Sequence, residues 1–377
     1  MSPCQRGRVF IERSQSEAFS RVQGDDRASL TTLPAIWYKA ASGPIGLFEG
    51  ELMTRAFRWL CLLCVCSVWA NPVRAQERLT FLYPSAAGSW IMPMIAKEAK
   101  YFDREGLAVE LVRVGGSTRI VAALIGGSGQ LIHAGEPAVI PAAARGSDAV
   151  IIAAISRVPQ HKLIGRPEIK EVKDLKGKTV GITSFGASSD FVLRFALQKH
   201  GLDPNKDVSI VQTGGQPEGL AALIAGKIYA QRMSFPLHMK ALQLGMRELV
   251  DFSALGLEEN NGTVITTRSF IAQRRGTVMG FMRAFVRGMH RFKTDKEFAK
   301  KALAKFAQLN DEAMLEATWQ EYAPHIQRVP RPTLKGIQHV LDSGMMGKVD
   351  IKPEKLVDFS IVDELEKSGF IDSVYKG

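Results

Sequence analysis

Residues Ala122 to Pro137, AALIGGSGQLIHAGEP, align without a gap to Ala221 to Pro236, AALIAGKIYAQRMSFP, in a chain of 377 residues. Both copies open on Ala-Ala-Leu-Ile, carry a glycine (Gly127, Gly226) where a helix would stop, and end in a proline after a short strand. A helix-to-strand unit that recurs in the same register implies two lobes of similar construction, one after the other. Around both copies, short apolar runs alternate with amphipathic helix patterns, the mark of α/β architecture with mostly parallel sheets.

The first unit reads as strand Leu79 to Tyr83, a turn over Pro84 to Ser89 (PSAAGS), a helix from Trp90 to Phe102 and a strand from Val109 to Val114. Gly115-Gly116-Ser117-Thr118 then turns into a helix, with Ser117 or Thr118 placed to cap it. The second unit runs from Asp174-Leu175-Lys176-Gly177-Lys178 into strand Thr179 to Thr183, loop Ser184 to Ser189 (SFGASS) and a helix from Asp190 to His200. Strand Val208 to Gln212 and a helix opened by Pro217 complete it. A polar, glycine-bearing loop thus follows the first strand of each lobe. Ligands of open α/β sheets bind outside the carboxyl ends of the strands, so these loops are expected to face each other across a cleft.

Ahead of this lies a different kind of segment. Met53 to Gln76, MTRAFRWLCLLCVCSVWANPVRAQ, has Arg55 and Arg58, an apolar run from Trp59 to Ala70, and Val73-Arg74-Ala75 before Gln76, the layout of a secretory signal peptide. The run is too short for a membrane span. The reading is therefore a leader over 1–52, a signal peptide over 53–75 with translation starting at Met53, and a mature, exported chain from Gln76. Cys4, Cys61, Cys64 and Cys66 all precede that point. The mature part then has neither a disulfide framework nor a cysteine metal site. The first 75 residues hold nine Lys/Arg and six Asp/Glu, so +3 of the +11 goes with them and +8 remains. Export argues against a nucleic-acid partner, and the positive field would instead draw anionic solutes.

The strand-loop Leu82 to Trp90, the segment ALIGGSGQLIHAG (Ala123 to Gly135), DLKGKTVGI (Asp174 to Ile182), the Ser184 to Ser189 loop and AALIAGKI (Ala221 to Ile228), taken in order, resemble the periplasmic solute-binding proteins of ABC importers, in their nitrate, sulfonate, taurine and thiamine-precursor branch. The resemblance covers Gln76 to the C-terminus. It implies a type II periplasmic-binding-protein clamshell, two Rossmann-like lobes joined by two hinge strands that close on a small solute. The loaded form would dock on a membrane permease as a monomer. Lobe 1 is placed at 76–164, lobe 2 at 165–264, and 265–377 returns to lobe 1. The alternative on the same fold is a periplasmic sensor or partner-presenting protein. Many relatives have Asp where this chain has Gln130 and Tyr229.

The expected ligand contacts are Ser85, Gly88, Trp90, Gly116, Ser117, Glu136, Ser184, Gly186, Ser188 and Phe235. Glu136 in the cleft would favour a ligand bearing N–H or a cation, whereas Arg232 would clamp an anion but is read by default as a surface residue. Trp90, Phe185 and Phe235 would supply apolar walls. The first hinge crossing is expected over Val158 to Gly165 and the return near Gly262 to Thr267. Val278, Phe281, Met282, Phe285, Val286, Met289 and Phe292 follow helical spacing as a core stripe, with Arg283, Arg287 and Arg291 on a solvated face.

No enzyme signature survives inspection. GGSGQ (Gly126 to Gln130) and ITSFG (Ile182 to Gly186) each lack a glycine that a nucleophile elbow needs. There is no P-loop, no H-E-x-x-H and no complete dinucleotide fingerprint. His133 and His161 read as core or hinge residues without a ligand set, and neither cofactor nor metal is expected.

Overall fold

The computed structural model describes residues 76–85, 88–343, 345 and 349–376. The expected leader and signal peptide lie outside the described residues, and no helix among the described residues is long and apolar enough to cross a membrane.

Among the described residues, ten strands form two five-stranded sheets. The first contains β1 (Glu77–Tyr83), β2 (Leu107–Arg113), β3 (Leu131–His133), β4 (Ala149–Ala153) and β10 (Val264–Thr267), in the order β2-β1-β3-β10-β4. The second contains β5 (Lys162–Gly165), β6 (Thr179–Ile182), β7 (Ser209–Gln212), β8 (Ala230–Met233) and β9 (Arg247–Asp251), in the order β7-β6-β8-β5-β9. Both sheets are mixed rather than mostly parallel. β10 runs antiparallel to β3 and β4, and β5 antiparallel to β8 and β9, because each enters its sheet just after crossing from the other lobe.

The strand registers extend the internal repeat well beyond the sixteen matched residues. Phe81 pairs with Leu131, 50 residues on, and with Leu111, 30 on; Val180 pairs with Ala230 and Ile210 at the same two separations. Phe81 and Val180 are therefore equivalents at an offset of 99, the offset that also relates Ala122 to Ala221. The helices α2 (Ser117–Ile125) and α4 (Gln216–Ile224) repeat at it end to end. Gly127 and Gly226 stop them in left-handed conformation, with φ of 77° and 70°, which a side chain would resist.

Two expected elements differ. The helix expected from Trp90 is a 3-10 turn over Gly88–Trp90, then α1 (Met92–Glu98), and it breaks at Lys100, whose φ is 56°. Neither Ser117 nor Thr118 caps α2. Ser117 Oγ accepts from the Gly135 N–H at 3.0 Å, and Thr118 Oγ1 donates to the Phe185 carbonyl at 2.9 Å, so tertiary partners have taken both hydroxyls. The corresponding loop of lobe 2 leads into α3 (Ser188–Lys199).

The long helix α5 (Arg275–Thr294) packs on the first sheet through its apolar stripe, which is buried throughout. Phe281 stacks on Phe81 at 5.2 Å and on Phe102 at 5.1 Å. Each such buried phenyl contributes roughly 1.5–3 kcal/mol. Its arginine face is engaged rather than merely solvated: Glu105 accepts from Arg283 Nε at 2.8 Å and from Arg287 Nη1 at 2.5 Å, while Arg291 reaches Asp295 at 3.0 Å.

The chain passes between the sheets twice, over 154–161 and 252–263. The two crossings pair antiparallel at Ser156 and Asn261, with the Asn261 N–H donating to Ser156 O at 2.9 Å and the Glu259 N–H to Arg157 O at 3.1 Å. This two-stranded ribbon joins the two sheets.

Candidate functional site

The carboxyl ends of β1, β2, β6 and β7 deliver four loops to the space between the lobes. The Gly-Gly turns 115–116 and 214–215, equivalent at the offset of 99, meet there so closely that a Cβ on Gly115 would stand 2.9 Å from Gly214 O. One on Gly135 would stand 2.7 Å from Ser188 Cβ. Only glycine lets these backbones approach so far. The Thr118 to Phe185 hydrogen bond and a 3.4 Å bond from the Gly88 N–H to Phe235 O also join the lobes.

Two adjoining cavities remain in the cleft. The smaller, about 30 Å³, is lined by Pro84, Ser85, Trp90, Gly116, Ser117, Thr183, Ala187, Ser188, Ser189, Gly215, Gln216 and Arg232. The larger, about 120 Å³, shares Ser85 and Gln216 with it and is otherwise walled mainly by apolar groups: Pro217, Phe235, Pro236, Leu237 and Ala307, with Ser234. Wider grooves of about 500 and 460 Å³ lie on the first lobe, at Gln76 to Thr80 and at Gln273 to Thr277. Both touch the amino ends of β1 and β2, opposite to where open α/β sheets bind ligands.

Of the residues expected from sequence, Ser85, Trp90, Gly116, Ser117 and Ser188 line the smaller cavity, and Ser85 and Phe235 the larger. Gly88, Glu136, Ser184 and Gly186 line neither. A Cβ on Gly88 would collide with the Tyr322 ring at 2.2 Å. Gly186 donates its N–H to Asp190 at 3.0 Å, and Ser184 Oγ lies 3.4 Å from Thr118 Oγ1. Phe185 points outward, 46% exposed.

Glu136 is the clearest departure from its expected role. It is buried, and it accepts from Asn260 Nδ2 at 2.5 Å and from the Asn260 N–H at 3.3 Å, tying lobe 1 to the return crossing. Burial pushes its carboxyl up to about 8 against those hydrogen bonds, so it is largely neutral at pH 7. A neutral carboxyl outside both cavities does not select a ligand bearing N–H or a cation.

Arg232 departs in the opposite sense. It is 5% exposed, on β8, and faces the smaller cavity instead of solvent. Its Nη2 contacts His161 Nε2 at 2.5 Å. A guanidinium only donates, so this imidazole nitrogen is the acceptor and His161 is neutral, its proton on Nδ1 and donated to Ser234 Oγ at 3.1 Å. Burial and then the charge of Arg232 hold His161 down to about 4. Burial lowers Arg232 itself to about 10, which leaves it charged. Its counter-charge is Glu259 on the return crossing, 2% exposed and hydrogen-bonded by Ser188 Oγ. Burial opposes the charge of Glu259, but its contacts with His161, Ser188 and Arg232 outweigh it and hold the carboxyl below its ordinary range.

Two polar atoms of residues in the cavity wall, Arg232 Nε and Ser85 Oγ, have no hydrogen-bond partner among the described residues. Sequence reasoning passed over Gln216 and Ser189 as well. The signal for them was the repeat: Gln216 is the equivalent of Ser117, and Ser189 of Trp90, at the offset of 99.

Residues 90–297 match the family described as NMT1/THI5 like. A putative binding protein of Bacillus subtilis (strain 168), YtlA, is 26% identical over 168 residues, which cover 41% of this chain and 50% of that protein. The match thus spans about half the length of that curated relative. Among solved structures, a protein from Bordetella bronchiseptica RB50 superposes with a TM-score of 0.69 at 22% identity, covering 78% of this chain and 98% of the other. The alkanesulfonate-binding protein SsuA from Xanthomonas axonopodis pv. citri, bound to MOPS, gives 0.62 at 21% identity, covering 76% and 97%. At such identities the likeness is one of fold, that of the periplasmic binding proteins.

Proposed function

The chain belongs to the NMT1/THI5-like family, and from that premise we propose that it is an extracytoplasmic solute-binding protein, which encloses a small organic solute between its lobes and hands it to an ABC permease. Export by a signal peptide over 53–75 and action as a periplasmic monomer belong to the same reading, as does the absence of any catalytic step. The lobes close about the hinge ribbon. Ser85, Trp90, Gly116, Ser117, Ser188 and Phe235 touch the solute, joined by Arg232, Ser189 and Gln216. Gly88, Glu136, Ser184 and Gly186 hold the walls in place.

The observation that carries the choice of solute is the buried guanidinium in the cavity wall with an unpartnered Nε. Leaving a buried donor unsatisfied costs about 1–3 kcal/mol, more where it is charged, and an acceptor on the solute recovers that. The apolar space beyond Ser85 and Gln216 accepts a hydrocarbon end. The solute is therefore an organic anion with an apolar part, a class to which the ligand of the alkanesulfonate-binding neighbour belongs.

Isothermal titration of the purified protein with butanesulfonate, benzoate, nitrate and butylammonium tests this. Saturable binding of the organic anions is expected, weakened at least tenfold in Arg232→Lys, which keeps the charge balance with Glu259 but loses the fork of donors. Binding of butylammonium in preference to the anions, or of none of the four, would overturn the reading.

A further inference from the structure

His161 Nε2 stands between two rivals. Arg232 Nη2 lies 2.5 Å away and requires a lone pair there. Glu259 Oε2 lies 3.6 Å away, has no hydrogen-bond partner among the described residues, and would be satisfied by a proton on the same nitrogen. With Nδ1–H kept on Ser234 Oγ the two arrangements differ by one proton, whereas a change of tautomer, with Ser234 Oγ–H donating to Nδ1, would exchange them without one. Resting on the anion seat proposed above, we propose that His161 is a positioning residue that couples capture of the solute at Arg232 to the uptake of one proton.

In the arrangement described, neutral His161 accepts from Nη2, while Nε of the same guanidinium is left without a partner among the described residues and Arg232 lines the smaller cavity. An anion seated on Nε cancels the charge that opposes protonation of the imidazole, and it draws the guanidinium away from Nε2. A proton from solvent then binds Nε2, Nδ1–H stays on Ser234 Oγ, and the new Nε2–H donates to Glu259 Oε2. The buried cluster begins with one cation and one anion. It ends with two of each, so the incoming charge is matched at every buried site. Without the proton, Arg232 would face both Glu259 and the solute as a single cation between two anions.

Most other charged groups around His161 are already committed, and His238, which follows Ser234 and is likewise held down to about 4 by burial, is separated from it by the His161→Gln comparison below. Lys162, next in the chain, is held by Asp251 at 2.6 Å. Glu136 faces Glu259 from the first lobe but is already protonated near pH 6, its value being about 8. Glu258, beside Glu259, is held by Lys335 at 3.3 Å. Tyr322, from the C-terminal region, lies near Arg232, and burial raises its phenol far beyond that range. Glu321, next to it, is raised by burial from the ordinary carboxylate range towards that pH, so the His161→Gln comparison below is what separates it from His161.

The test is titration calorimetry of butanesulfonate into the whole protein near pH 6, between the values of about 4 for free His161 and about 8 for Glu136, in bis-tris and in imidazole, two cationic buffers of different ionisation enthalpy. The apparent enthalpy is expected to change between buffers as for uptake of close to one proton per anion bound. The affinity is expected to rise by up to about tenfold for each unit the pH falls, until the free imidazole itself protonates. His161→Gln keeps an acceptor for Arg232 but takes no proton, so its binding enthalpy is expected to be the same in both buffers. Buffer-independent heat in the natural protein, or buffer dependence that persists in His161→Gln, would overturn the coupling while leaving the anion seat intact. No heat with any anion would remove the seat and the coupling with it.

Discussion

Gly115→Ala is the sharpest probe of closure. Gly115 is not left-handed, so alanine fits its backbone without strain, and on an isolated lobe it would stabilise by about 0.4–1 kcal/mol through the unfolded chain. With the lobes together, the added methyl meets the carbonyl oxygen of Gly214 at 2.9 Å. That neighbour is backbone, not the end of a flexible chain, so relief requires the two turns to separate by several tenths of an ångström. Overpacking of this kind costs about 1–3 kcal/mol, and at about 1.4 kcal/mol per decade the affinity for butanesulfonate should fall roughly 5- to 150-fold. Calorimetry gives the affinity, and thermal unfolding without solute gives the stability, which is expected to hold or rise slightly. Undiminished affinity would show that capture does not bring the turns together; a melting temperature that drops in step with affinity would place the damage in the fold instead.

Two further outcomes follow from the same contacts. Glu136 has a folded-state pKa raised by burial to about 8, above its ordinary value of 4.5, so its contribution is full below pH 4.5 and is lost as the pH rises towards 8; Glu136→Gln should flatten the decline of melting temperature across that window, and an unchanged slope would refute the assignment. Thr118→Val removes the donor to Phe185 O at 2.9 Å, a loss of about 0.5–1.5 kcal/mol that should weaken butanesulfonate binding by about two- to tenfold in calorimetry, with equal affinity counting against it.

What the sequence could disclose was whatever is carried by local spacing. The stripe Val278 to Phe292 buries as its period requires, the Gly127 and Gly226 stops are left-handed, and the Ser/Gly loops follow the strands that place them. The failures share one cause, a partner far away in the chain. Ser117 would have capped α2 had not the Gly135 N–H, 18 residues on, taken its hydroxyl. Glu136 looked like a free carboxylate because Asn260 is 124 residues away. Arg232 looked superficial because the lone pair that holds it belongs to His161, 71 residues earlier, in a segment read only as a hinge. The repeat contained part of the answer, since Arg232 is the equivalent of His133, which is fully buried.

The placement of β10 has a consequence for how the chain is made. Every strand of the second sheet lies between Lys162 and Asp251, so that sheet is complete as soon as this stretch has been synthesised. The first sheet is not. β10 belongs between β3 and β4, and its Val264 pairs with His133, 131 residues earlier. Until residue 267 has emerged, β3 and β4 flank a gap about two strand spacings wide, close to 10 Å, and each presents an unpaired edge to whatever is nearby. The lobe that begins first therefore finishes last. A chain interrupted between residues 252 and 263 would combine one finished sheet with one open, adhesive one, the kind of intermediate that aggregates unless something holds it.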